Sequence, residues 1–221
     1  MEREAEPELM DDAEQAAAYA RADFEEPHAR FIQLFRETFA GEELDGTVLD
    51  LGCGPADIAL RFAQAYPRCA VQGVDGAAAM LEHGEARLQQ AGLTARVQLI
   101  HAYLPDSVLP LAAYDAIISN SLLHHLRDPV VLWRTIRRYA KAGAPIFVMD
   151  LLRPASRAAA QTLVDNYAAD EPPILRHDFF HSLLAAYRLE EVIAQLRGAG
   201  LGHLQVGQVS DRHILVHGRM I

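Results

Sequence analysis

The sequence predicts an α/β protein in which seven strands form a mostly parallel sheet, with helices on both faces and a C-terminal antiparallel hairpin. Three observations carry this. Short apolar, β-like runs alternate with helical patterns from residue 48 onward, as expected when each strand crosses over to a parallel neighbour. The run Val48-Leu49-Asp50-Leu51 ends near an acid and breaks into Gly52-Cys53-Gly54, after which Asp57-Ile58-Ala59-Leu60 starts a helix; strand, glycine turn and helix N-terminus together make a nucleotide pocket. The last two β-like runs are joined only around Ser210-Asp211, which suits a hairpin.

In chain order, residues 1–10 are expected to fray, and Asp11 or Asp12 caps a helix through Ala22. A second helix follows Pro27 to Ala40, with Phe31, Ile32, Leu34, Phe35 and Phe39 at helical spacing. The first strand, at 48–51, leads into a helix at 56–66 that stops before Pro67. A second strand spans 70–75, and a helix at 77–91 closes on Gly92. The third strand is 96–101 and the fourth 114–120. Asp128-Pro129 opens a helix to Tyr139, the fifth strand covers 146–150, and a helix at 189–199 precedes the hairpin of 204–209 and 213–217. Residues 154–188 show no clear pattern and read as an insertion.

A chain of 221 residues, 51% apolar, suits a single full core. The net charge of −10 is concentrated in residues 1–43, where 13 acids face 4 arginines. The body is nearly neutral and has no basic cluster longer than Arg137-Arg138, which argues against a nucleic-acid substrate. No run approaches the ~20 apolar residues of a membrane span, and the acidic start lacks the features of a signal peptide, so a cytoplasmic protein is expected. Cys53 and Cys69 are too few and too far apart for a disulfide framework or a CxxC metal site, and both are expected as free thiols.

The ligand can be narrowed from the residues. The nicotinamide fingerprint GxGxxG requires glycine at position 57, where Asp57 stands, and Asp50 would repel a pyrophosphate but attract an ammonium group. Asp75 ends the second strand 21 positions beyond Gly54, where an acid accepts ribose hydroxyls in several cofactor classes. The acid followed by Gly52-Cys53-Gly54-Pro55-Ala56, together with Asp75 and the run YDAIISNSLLHHLRDP, resembles the class I S-adenosylmethionine (SAM) dependent methyltransferases, of the small-molecule and quinone type. Ala56 stands where the family has its third glycine, and Tyr103 replaces the usual acid beside the adenine. The resemblance covers roughly 45–218 and implies a Rossmann-like fold. It also implies a domain at 44–221 preceded by a helical cap at 1–43, and SAM as cofactor with S-adenosylhomocysteine as product.

The resemblance further implies that Asp50, Gly52, Cys53 and Gly54 hold the methionine end, Asp75 and Gly76 the ribose, Met80, Ala102 and Tyr103 the adenine, and that Asn120 lies near the methionine portion. Read alone, Met80 is a core methionine. The expected reaction is in-line displacement at the sulfonium methyl by a small-molecule acceptor. His124, His125 and His181 are candidate catalytic bases, since histidine titrates near neutrality, with packing or capping as the alternative for each. No metal is expected, because adjacent residues on a helix point about 100° apart and a third ligand for His177 and His181 is not evident. Tyr19, Arg153 and Tyr167 are candidate substrate contacts, Tyr19 with Asp23, Phe24 and His28 as lid residues, and substrate choice is assigned to 154–188. The alternatives are a methyltransferase of RNA or protein, a non-catalytic SAM-binding protein, and an NAD oxidoreductase.

Overall fold

A computed structural model describes residues 1–7, 9–105 and 107–221. Its one sheet comprises β1 (Gly46–Leu51), β2 (Cys69–Asp75), β3 (Val97–His101), β4 (Ala116–Asn120), β5 (Pro145–Leu151), β6 (Gln205–Gln208) and β7 (His213–Arg219), in the order β3-β2-β1-β4-β5-β7-β6. Strands β1 to β5 are parallel, and β7 pairs antiparallel with both β5 and β6. The chain winds outward from β1 to β3, then returns to place β4 beside β1. That reversal puts a crevice beyond the carboxyl ends of β1 and β4, where open α/β sheets bind ligands.

Eight helices are described: α1 (Ala13–Arg21), α2 (Glu25–Thr38), α3 (Asp57–Ala65), α4 (Ala78–Ala91), α5 (Val130–Tyr139), α6 (Arg157–Tyr167), α7 (Pro173–Ala185) and α8 (Leu189–Gly198), with a 3-10 turn at Leu123–His125. Alternate strand residues feed opposite cores, the period-2 rule of a pleated sheet. Val48, Ile118 and Phe147 pack with α2 and α3, while Leu49, Ile117 and Ile146 pack with α5 and α8 around Trp133. Helix α2 is fixed to the first face by aromatic contacts, Phe31 to Phe147 at 5.0 Å and Phe35 to Phe62 at 4.9 Å between ring centroids.

Most elements lie within a residue or two of their expected ends, and three differ in kind. Helix α2 begins at Glu25, two residues before Pro27; a proline is tolerated there because the N–H groups of a first turn have no intrahelical partner anyway. Residues 1–7 do not fray. Arg3 donates from Nε to the Ala185 carbonyl (2.6 Å) and from Nη2 to those of His124 (2.8 Å) and Leu126 (3.2 Å), and its guanidinium lies 4.2 Å from the Tyr187 ring centroid. The insertion is two helices, α6 and α7, which share a small core of Ala160, Leu163, Val164, Leu183 and Leu184. Helix α7 carries apolar residues around its whole circumference, so its sequence shows no amphipathic stripe.

The turn after β1 depends on Gly52, whose φ is +71° and where a Cβ would lie 2.8 Å from Leu122 Cβ. Gly52→Ala is expected to cost about 2–4 kcal/mol, from a left-handed alanine and an overpacked contact. Urea unfolding checks this, and an unchanged midpoint would contradict it.

Candidate active site

A cavity of about 820 Å³ runs along the carboxyl ends of β1, β2, β4 and β5, roofed by α1, α2, α6 and α7. Its size is that of a cofactor plus a small ligand. Every cofactor residue expected from the sequence lines it: Asp50, Gly52, Cys53, Gly54, Asp75, Gly76, Met80, Ala102, Tyr103 and Asn120. So do Tyr19 and Tyr167, and the other lid candidates Asp23, Phe24 and His28.

The strand ends set the electrostatics. Asp50 is 1% exposed, and its Oδ2 has no hydrogen-bond partner among the described residues. Burial, with Asp75 adding to it, pushes the Asp50 carboxyl up to about 8. A buried carboxylate without a partner is costly, and a cation placed here would remove that cost. Asp75 is held from both sides, accepting from Gly54 N (2.8 Å) and Ala77 N (2.8 Å), so one acid ties the glycine turn to the start of α4. Burial raises its pKa against the pull of those N–H groups. Gly73, unremarked in the sequence, permits the approach: a Cβ there would lie 2.8 Å from Cys53 Sγ. Two non-glycine residues at this edge, Ala56 (φ 61°) and Ser121 (φ 57°), take left-handed backbone, strain of the kind that gathers at functional sites. These features fit SAM: a lone carboxylate for its ammonium, an anchored acid for the ribose, and a side-chain-free turn between them. Cys53 and Cys69 are buried free thiols.

The roof brings in residues the sequence did not join. Asp57 accepts from Arg61 Nε (2.7 Å), bonds His28 Nδ1 (2.6 Å) and lies 3.3 Å from Arg87, which fastens α2 and α4 to the start of α3. Burial would raise the Asp57 carboxyl, but His28 and Arg61 outweigh it and hold it at about 2. The Tyr19 hydroxyl is pushed up to about 12 by burial and by Asp57 and Asp75, so it stays protonated. Tyr167 bonds Asp211 (2.7 Å) while Arg212 lies 3.4 Å from its ring centroid, which joins α6 to the β6–β7 turn.

The three candidate bases separate. His124 bonds Asp150 through Nδ1 at 2.6 Å, and its Nε2 lies 3.5 Å from Glu6. Burial works against its charge, yet Asp150 and Glu6 together raise its pKa; Asp150 in turn is lowered, because His124 and the N–H groups of Leu151 and Leu123 outweigh its burial. His125 also lines the cavity, and burial together with His124 pushes it down to about 3. His181 does not line the cavity; its ring lies 4.3 Å from that of His177 between centroids, tilted by 40°, because the two are four residues apart on α7. Arg153 is likewise outside the lining: it is 6% exposed and ion-paired with Glu191 of α8. The chain leaves the sheet just after β5 and turns it toward α8. The expectation of diverging histidine rings also fails: the His124 and His125 rings lie 4.3 Å apart, the first held by Asp150 and the second facing Glu6 and the Pro7 carbonyl, and Glu6 joins them with ligand-type atoms within 4.8 Å of one another.

Residues 48–143 match the family model for a methyltransferase domain. The chain is 31% identical over 150 residues to an uncharacterized methyltransferase of Mycobacterium tuberculosis, covering 68% of this chain and 73% of that protein. It is 30% identical over 165 residues to the 27-O-demethylrifamycin SV methyltransferase of Amycolatopsis mediterranei, covering 73% of this chain and 54% of the relative. Among solved structures, a SAM-dependent methyltransferase from Aquifex aeolicus superposes with a TM-score of 0.67 at 18% identity, over 95% of this chain and 99% of that one, a likeness of fold. No helix among the described residues is long and apolar enough to cross a membrane. With the acid-flanked glycine turn, the anchored Asp75 and these relatives in agreement, the chain belongs to the class I SAM-dependent methyltransferases.

Proposed function

We propose that the protein transfers the methyl group of SAM to a small-molecule acceptor bound between the sheet edge and α6–α7. The observation that carries this reading is one cavity lined both by Asp50 and Asp75 of the sheet edge and by Leu175, Asp178, Phe179 and Ser182 of α7. An acceptor must enter beneath the roof, which suits a small molecule better than a folded macromolecule. The Amycolatopsis relative, which acts on 27-O-demethylrifamycin SV, supports the same class. The acidic charge is no help to an RNA acceptor.

SAM supplies an activated methyl on a sulfonium; the chain's part is to hold, orient and exclude water. Asp50 anchors the ammonium, Asp75 the ribose, and Met80 with Tyr103 flanks the adenine. Orientation alone is worth up to about 7–11 kcal/mol of barrier. Calorimetric titration with SAM and with NADH as competitor, followed by a methyl-transfer screen of small molecules against bulk RNA and protein, tests the reading. Transfer to macromolecules alone would overturn it.

Asp50 adds a proton signature. Its carboxyl, pushed up to about 8 by burial and Asp75, is largely protonated at pH 7, and an ammonium placed against it favours the ionised form. Binding at pH 7 is therefore expected to release close to one proton, read from the dependence of the binding enthalpy on buffer ionisation enthalpy. Asp50→Asn abolishes the release, and binding with no proton exchange would contradict this placement of the ammonium.

A further inference from the structure

The segment at residues 1–7 crosses the molecule and places one carboxylate, itself outside the cavity lining, against three residues that line it, His124, His125 and Ser182. Glu6 accepts from the Ser182 hydroxyl through both oxygens (3.2 Å each), and Glu6 Oε1 lies 3.3 Å from His125 Nδ1 and 3.5 Å from His124 Nε2. Both nitrogens of His124 are therefore engaged, one by Asp150 and one by Glu6. Nδ1 of His125 faces only acceptors, Glu6 and the Pro7 carbonyl oxygen at 3.4 Å, so that nitrogen carries the hydrogen. Nε2 of His125 is then a lone pair, and among the described residues nothing bonds it.

We propose that Glu6 is a positioning residue for the acceptor site: carried in by the N-terminal arm and locked by Arg3, it fixes the tautomer of His125 so that Nε2 is presented to the acceptor as a hydrogen-bond acceptor. The inference rests on the methyltransferase reading and adds to it which nitrogen acts and which class of acceptor it takes. A lone pair accepts a hydrogen bond from an O–H, S–H or N–H group, and the acceptor class it serves most directly is one methylated on that heteroatom. As the methyl–sulfur bond breaks and its electron pair stays on sulfur, the new bond forms to the acceptor heteroatom, whose proton passes to His125 Nε2. The charged groups that act on Glu6 and His124, besides each other, are Asp150, Asp178 and Arg3.

The test is long-range proton–nitrogen NMR of the histidine rings in the full-length protein saturated with S-adenosylhomocysteine. His125 is expected as a neutral Nδ1–H tautomer between pH 6 and 8, assigned by its loss in His125→Gln. Glu6→Gln, which keeps the shape but removes the charge, is expected to yield a mixture of tautomers while S-adenosylhomocysteine affinity stays within threefold of wild type. A His125 in the Nε2–H form, or a tautomer indifferent to Glu6→Gln, overturns the proposal. Stoichiometric zinc binding that is lost in Glu6→Gln also overturns it, since Glu6, His124 and His125 would then be ion ligands. Failure of S-adenosylhomocysteine to bind the wild type would instead strike the underlying cofactor reading.

Discussion

Asp75→Ala is expected to weaken SAM binding by about 10²–10⁴-fold, because hydrogen bonds to a charged group contribute about 1.5–3 kcal/mol each and, in the proposed placement, two ribose hydroxyls lose their acceptor. The structure adds a second cause. Asp75 also holds Gly54 N and Ala77 N at 2.8 Å, so the substitution frees the glycine turn from the start of α4. Asp75→Asn separates the two effects, since an amide oxygen can still accept one of those N–H groups. Calorimetry with SAM is the measurement, with thermal unfolding to verify that the variant is folded. A dissociation constant within threefold of wild type would remove Asp75 from the cofactor site.

Asp150→Ala carries the largest expected stability effect, about 3–5 kcal/mol, because it leaves a buried imidazole without its charge partner. It also orphans the N–H groups of Leu123 and Leu151, each of which donates to Asp150 at 2.7 Å. The loss depends on pH from both directions. Asp150 is lowered in the folded protein from its ordinary 3.8, so its contribution is present above that value and disappears as pH falls through the folded one. His124 is raised from 6.5, so its contribution is complete below 6.5 and disappears as pH rises through the folded value. The gap between wild type and Asp150→Ala in urea unfolding is therefore expected to be widest between about pH 4 and 6.5 and to narrow on either side. A gap that stays constant from pH 4 to 9 would show that the pair is not ionised in this way.

The sheet and the cofactor half of the cavity were legible because their signals are local. Val48 to Ile58 holds strand, turn and helix start within eleven residues, and Asp75 follows one crossover later. The histidines were read correctly as lying at the β4 edge and incorrectly as a diverging pair, since their rings are directed by Asp150, Glu6 and the Pro7 carbonyl, partners far away in sequence. His181 and Arg153 lie within the right segments and face the wrong way. Their direction depends on how α6 and α7 dock and on how the chain leaves β5, which are long-range contacts.

What the sequence determined by itself, then, is the alternating order of elements, the glycine turn and the acids that end β1 and β2, because hydrophobic periodicity and glycine's backbone freedom act over a few residues. Only the tertiary structure decided that residues 1–7 would seat Glu6 between His124 and His125, and that Asp150 would lie beneath them. Those groups are more than 100 residues apart in the case of Glu6 and 26 in the case of Asp150, and the charge of a short acidic arm favours no one docking place. The place is chosen by Arg3 reaching carbonyls that exist as a set only once the 3-10 turn and the end of α7 have packed together.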